Sequence, residues 1–262
     1  WRGTANGTEG IAEETSDTVL LLDEIGQANG REVGDTIYML ANGAGKQRAG
    51  RNGEARVRKT WKSCFVSTGE MTLADKMAEA GINIMAGQEV RLVNIPADAG
   101  VKLGLFENLH NFNAPRELAE HIKGAARTSY GTAGRAFLEY LTQERADDEA
   151  ALVEAINLIC QAFMGDNLPD GGVSGQVCSV AKRFALVAAA GELAGGYGVL
   201  PWKEGEATSA AKSCFAAWLD NRGSSGAAED TKAIDQVRVF IEEHGDSRFS
   251  RIGEHGEPEH NR

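Results

Sequence analysis

The run Val19-Leu20-Leu21-Leu22 leads without a break into Asp23-Glu24. A short, continuous apolar run rich in Val and Leu reads as a strand buried on both faces of a sheet. Two adjacent carboxylates cannot follow it into a core. In open α/β sheets the ligand lies outside the carboxyl ends of the strands, so Asp23 and Glu24 are expected at a ligand site. The alternative is a core strand that merely ends in a solvated acidic turn. A second apolar run, 63–67, ends in Thr68-Gly69-Glu70, again with polar groups at its carboxyl end.

Between and around these runs the spacing alternates with helix. Residues 6–14 read as a short helix, with 1–4 as the end of a strand before it. In 32–41, Val33, Ile37, Leu40 and Ala41 recur at helical spacing, and Asn42-Gly43 ends the helix. Thr72 can cap a helix over 73–80. Residues 91–95 read as a third strand, stopped by Pro96. The rest reads as helix: 117–145, 148–164, a small-residue helix over 181–190 ended by Gly195-Gly196-Tyr197-Gly198, then 206–219 and 231–244. The polar tail from 253 is expected to be disordered, and its His255 and His260 receive no ligand role. The organisation expected is an α/β core over 1–105, a helical region over 106–200, a helical or winged-helix-like region over 201–252, and the tail 253–262.

With 262 residues the chain has room for one large or two modest domains. Its formal net charge of -11 argues against a protein that coats nucleic acid over its whole surface. Against that background the segment 46–62 stands out. It carries Lys46, Arg48, Arg51, Arg56, Arg58, Lys59 and Lys62 against Glu54 alone. Asn52-Gly53 at its centre is a strong hairpin signal. A basic hairpin in an acidic chain suits a phosphate backbone; the alternative is a hairpin charged for solubility. The four cysteines are scattered without a CxxC pair, which fits reduced thiols and a cytoplasmic setting. No apolar run is long enough to span a membrane. The chain opens on Trp1, and the expectation is a piece of a longer polypeptide.

Gly43-Ala44-Gly45-Lys46 superficially suggests a phosphate-binding loop, but GxxxxGK[ST] needs Gly where Leu40 stands and Ser or Thr where Gln47 stands. The strand ending in Asp23-Glu24, by contrast, resembles the Walker B element of P-loop NTPases. That resemblance implies Asp23 as the Mg²⁺ ligand and Glu24 as the residue that orients the attacking water in ATP hydrolysis. The order of parts resembles the second half of an AAA+ core. A hairpin just before the sensor strand is similar to superfamily III and minichromosome maintenance helicases, whose hairpins grip single-stranded DNA in a central pore. The resemblance implies Thr68, or Ser67, as sensor. It implies Arg91 as arginine finger, the alternative being an Arg paired to Glu89 or Asp98. It implies Arg183, at the start of a helix, as second sensor, the alternative being a locally paired Arg. Superfamily III helicases usually carry Asn at the sensor tip, where this chain has Ser67 or Thr68.

The phrases Trp1-Arg2-Gly3-Thr4-Ala5-Asn6-Gly7, Leu22-Asp23-Glu24-Ile25-Gly26-Gln27, Tyr38-Met39-Leu40-Ala41-Asn42-Gly43, Ser67-Thr68-Gly69-Glu70 and Lys182-Arg183-Phe184-Ala185-Leu186 resemble the family called domain of unknown function 927. The resemblance extends to about residue 249. In that family a P-loop precedes the Trp-Arg phrase. The implied fold is an α/β P-loop NTPase core lacking its N-terminal P-loop part, followed by a mainly helical region. The implied function is an ATP-driven helicase or translocase on single-stranded DNA, working as a homo-oligomeric ring. The rival is a non-enzymatic DNA-binding or assembly module with a degenerate ATPase fold. Since no stretch of the chain can wrap a β- and γ-phosphate, isothermal calorimetry on this chain should show negligible ATP binding at millimolar concentration. Tight binding would overturn the expectation that the P-loop is supplied from upstream.

Overall fold

The computed structural model describes residues 1–48, 57–98, 100–169, 173–222, 228–248, 251–252 and 258–259, with backbone only for 251–252, 258–259 and parts of 228–248. Its first element is helix α1 (Ala5–Glu14), not the strand end expected at 1–4. The Thr4 hydroxyl accepts the Gly7 N–H at 3.2 Å, so this segment caps the helix instead of extending a sheet. Strand β1 (Val19–Leu22) follows, then a 3-10 turn over Ile25–Gln27 and helix α2 (Val33–Asn42). Gly43 ends α2 with φ +67, where a side chain would also meet the Trp61 carbonyl at 2.6 Å.

Strand β2 (Cys64–Ser67) pairs parallel to β1, from Val19↔Cys64 to Leu22↔Ser67. A parallel pair needs a crossover, and α2 with the basic segment supplies it. Helices α3 (Leu73–Ala78), with a Thr72–Asp75 capping box, and α4 (Ala86–Glu89) complete this half. Burial of the strands on both faces is not what the structure shows. Leu20 and Leu22 pack with Ala12, Met39, Leu40 and Trp61, whereas Leu21 is 71 % exposed, and Val19 and Val66 are about half exposed. A continuous apolar run looks the same whether one face or two are covered.

The third strand expected over 91–95 is also corrected. Residues 91–95 form a turn and irregular backbone after α4. Val90 and Val93 pack into the helical core, while Leu92 packs with Ile25, Val33, Ile37, Leu73 and Met77. The apolar residues that suggested a strand are a segment shared between two cores.

The second half is helical: α5 (Pro115–Thr128), α6 (Thr132–Asn167), α7 (Gly175–Gly196), α8 (Glu206–Arg222) and α9 (Ala228–Arg248). The single helix expected over 117–145 breaks before Thr132, where Gly131 sits at φ +69. The boundary expected at 148 is a kink inside α6: Asp148 leaves helical geometry and its carboxylate accepts the Ala151 N–H at 3.0 Å. Helix α7 ends at the expected glycines but begins at Gly175 rather than 181, which places Arg183 in its interior, not at its start. Its Ala181, Ala185 and Ala188 are fully buried, and small side chains there let α6 and α8 pack against it. In the tail expected to be disordered, β4 (Pro258–Glu259) instead pairs antiparallel with β3 (Arg251–Ile252); the remainder lies outside the described residues.

Phe215 is 2 % exposed at the centre of the helical core. Its ring lies 6.2 Å from Phe163, 5.7 Å from Phe184 and 5.7 Å from Trp218. Phe215→Ala should therefore cost about 3–5 kcal/mol in chemical denaturation, the range for removing a large buried aromatic. A loss below about 1 kcal/mol would mean that this cluster does not hold the helices together.

Candidate functional site

The parallel register puts the ends of β1 and β2 side by side, and one side chain links them. The Thr68 hydroxyl donates to Asp23 Oδ1 at 2.6 Å and accepts the Glu24 N–H at 3.0 Å. Backbone bonds close the join, from Thr68 N–H to the Leu22 carbonyl at 3.1 Å and from Ile25 N–H to the Thr68 carbonyl at 2.9 Å. Gly69 is required beside it, because a side chain there would meet Ile25 Cγ2 at 2.5 Å. Of the two sensor candidates, Thr68 touches both acidic residues. Ser67 is engaged elsewhere: its Oγ accepts the Trp1 indole N–H at 2.8 Å.

Glu24 adopts the left-handed conformation at φ 56, unusual for a residue with a side chain. Its carboxylate accepts the Gly26 N–H at 2.9 Å, which turns it back along its own chain. Asp23 is exposed. Among the described residues no group of three or more His, Cys, Asp or Glu could hold a metal. Two carboxylates are nonetheless what Mg²⁺ asks of a protein, since it keeps several waters and takes one or two carboxylates together with substrate phosphates. Exposed Asp23, with its Oδ1 fixed by Thr68, fits that requirement.

Arg91 and Arg183 meet at the carboxyl end of α4. Arg91 donates to the Gly87 carbonyl at 2.8 Å, and its guanidinium lies 4.7 Å from the centre of the Tyr38 ring. Among the described residues no ion pair joins it to Asp98. Asp98 instead accepts the N–H groups of Gly100 at 2.7 Å and Lys102 at 3.0 Å, which holds its carboxyl below the usual carboxylate range. Arg183 reaches from α7 to the Val90 carbonyl. Partial desolvation lowers its pKa, and the charge of Arg91 adds to that. Both cations lie at the end of a helix where carbonyls point outward.

The basic segment starts and ends at the opposite end of the two strands. Its base is antiparallel as a hairpin requires: Ala44 bridges Thr60, and Gly45 N–H donates to the Lys59 carbonyl at 2.9 Å. The expected turn at Asn52-Gly53, with Arg51 and Arg56, lies outside the described residues. Arg48 and Lys59 are engaged by α1. Arg48 forms an ion pair with Glu9 at 2.6 Å, and Lys59 one with Glu13 at 2.9 Å. Arg58 donates its Nε to the Gly45 carbonyl at 2.6 Å, and the Lys46 side chain is exposed. Glu9, Trp1 and Tyr38 were not singled out from the sequence. For Glu9 a signal exists, because it lies three residues before buried Ala12 and so on the covered face of α1. An acid there needs a cation.

The model of a family described as Domain of unknown function (DUF927) matches residues 1–60. The resemblance read as far as residue 249 thus rests on a family match that ends at 60. No curated protein matches the chain. A solved structure described as "SCCmec type IV Cch - active helicase" is similar in fold, with a TM-score of 0.63 at 20 % identity. The alignment covers 97 % of this chain and 41 % of that one, so this chain spans less than half the helicase's length. At that identity the likeness is one of fold. No helix among the described residues is long and apolar enough to cross a membrane.

Arg48's hydrogen bonds hold the Glu9 carboxyl below its ordinary value of 4.5, against the cost of burial. A depressed folded pKa gives stability that is present above the unfolded value and is lost as pH falls through the folded one. Denaturant stability should therefore drop as the pH is lowered below 4.5, and Glu9→Gln should flatten that part of the profile. An identical acid limb in wild type and variant would show that this pair contributes nothing to the pH dependence.

Proposed function

We propose that this chain is the Walker B-to-lid part of an ATP-driven helicase or translocase acting on single-stranded DNA. The observation that carries the reading is the Asp23–Thr68–Glu24 arrangement at the carboxyl ends of two parallel strands. The fold likeness to a helicase and the DUF927 match over 1–60 support it.

Bound Mg²⁺–ATP would supply the electrophilic phosphorus and the charge that neutralises its oxygens. Asp23 would hold the metal, with Thr68 fixing the orientation of its carboxylate. Glu24 would leave the Gly26 N–H to orient water, its distance from that role set by the left-handed turn. Arg91 and Arg183, anchored on carbonyls of Gly87 and Val90, would present guanidinium groups to phosphate oxygens. Their common seat suits joint action on one nucleotide, including that of a neighbouring subunit in a ring. Lys46, Arg51, Arg56 and Arg58 would meet the DNA backbone. The rival, a non-enzymatic DNA-binding or assembly module, draws on the carboxylate of Glu24 being turned onto its own chain.

The test is turnover in the polypeptide that includes the P-loop. Glu24→Gln keeps the shape and removes the base. ATP should still bind while hydrolysis falls by about 10²-fold or more, the scale of a lost acid-base group. Thr68→Val should also lower turnover, whereas Ser67→Ala should leave most of it. Hydrolysis by Glu24→Gln within a few-fold of the parent would remove Glu24 from catalysis. No hydrolysis by the parent, with DNA binding intact, would favour the non-enzymatic module.

A further inference from the structure

One face of α1 grips both arms of the basic segment. Asn6, Glu9 and Glu13 recur at three- and four-residue spacing, so they share a side of the helix. Arg48 is held at three points: Nη1 to Glu9 Oε2 at 2.6 Å, Nη2 to Glu9 Oε1 at 2.8 Å, and Nη2 to Asn6 Oδ1 at 2.5 Å. Glu9 Oε1 also accepts the Lys46 N–H at 3.2 Å. On the other arm Lys59 pairs with Glu13. Glu9 is 1 % exposed. Gly45 admits it, since a side chain at that position would lie 2.7 Å from Glu9 Oε2. A buried carboxylate carries a desolvation cost that an exposed pair would avoid, and a two-pronged Arg–carboxylate contact fixes direction as well as charge.

We infer that Glu9 is a positioning residue for the nucleic-acid interface, holding Arg48 and the base of the basic segment so that Lys46 and Arg58, beside that base, meet a single-stranded phosphate backbone together. The inference rests on the reading that this segment binds nucleic acid. It divides the cations the sequence groups as one. Arg48 and Lys59 are committed to α1, and among the described site cations phosphate contact falls to Lys46 and Arg58. Arg58 is exposed, and the bond given for it among the described residues runs through Nε to the Gly45 carbonyl.

The sign of one variant separates positioning from plain electrostatics. Glu9→Gln removes a negative charge and loosens Arg48. If Glu9 acted only through its charge, single-stranded DNA would bind more tightly. If it positions the segment, binding weakens at every salt concentration while the number of phosphate contacts stays the same. The experiment measures fluorescence anisotropy of a labelled single-stranded oligonucleotide of mixed sequence against salt. It uses the full-length protein that carries this chain, with a non-hydrolysable nucleotide. Glu9→Gln is compared with the double variant Glu9→Met, Arg48→Met, which leaves no buried charge unpaired, and with Arg58→Ala. Circular dichroism and the unfolding midpoint verify folding. The expected result is about tenfold weaker binding for both Glu9 variants, equivalent to about 1.4 kcal/mol, with the salt slope unchanged. Arg58→Ala should instead flatten the slope by about 0.7, one single-strand phosphate contact. Equal or tighter binding by folded Glu9→Gln, with the slope still flattened by Arg58→Ala, would overturn the positioning role and leave the interface standing. An unchanged slope for Arg58→Ala would remove the interface at the base of the segment, and the positioning role with it.

Discussion

The parallel register of β1 and β2 is the constraint on which the candidate site depends. Leu22 opposite Ser67 brings the next residues, Asp23 and Thr68, into hydrogen-bond contact at 2.6 Å. A shift of one residue would turn Thr68 to the other face and separate the hydroxyl from the carboxylate. The register is in turn held by burial of Leu20, Leu22 and Phe65 against α1, α2 and Trp61. Packing on one face of a two-stranded sheet thereby fixes chemistry at its end.

Two hydrophobic cores meet along residues 90–93, whose side chains are divided between them. Arg183 reinforces that junction from the helical side, on the carbonyl next to the residue that carries the Arg91 guanidinium. The bond ties α7 to the turn that carries Arg91, whose own guanidinium is held on Gly87 and over Tyr38.

At the other end of the strands the same economy holds. Helix α1 covers the sheet with Ala12 and grips the basic segment with Asn6, Glu9 and Glu13, so one short helix serves the core and the charged arm at once. The charge imbalance of 46–62 is in part internal neutralisation. Arg48 and Lys59 offset acids of α1, which moderates repulsion among the cations at the base of the segment.

Much was legible in local sequence. Val19–Leu22 running into Asp23-Glu24, the Gly43 helix stop and the Thr72 cap are properties of a few consecutive residues, and each is found where the spacing put it. What local pattern could not supply was the number of covered faces. Leu21 reads as core in the sequence and is exposed in the structure, because burial depends on neighbours distant in the chain. The strand expected at 91–95 is absent for a related reason: Val90, Leu92 and Val93 answer to two different cores, and an alternation of partners mimics an alternation of faces. The contact of Thr68 with Asp23, the shared seat of Arg91 and Arg183, and the pairing of Glu9 with Arg48 were decided by tertiary structure alone. The contacts behind them span 45, 93 and 39 residues of sequence. Residue types and short spacings determine which elements form and where charge is available, whereas only packing at long separation determines which of those charges meet.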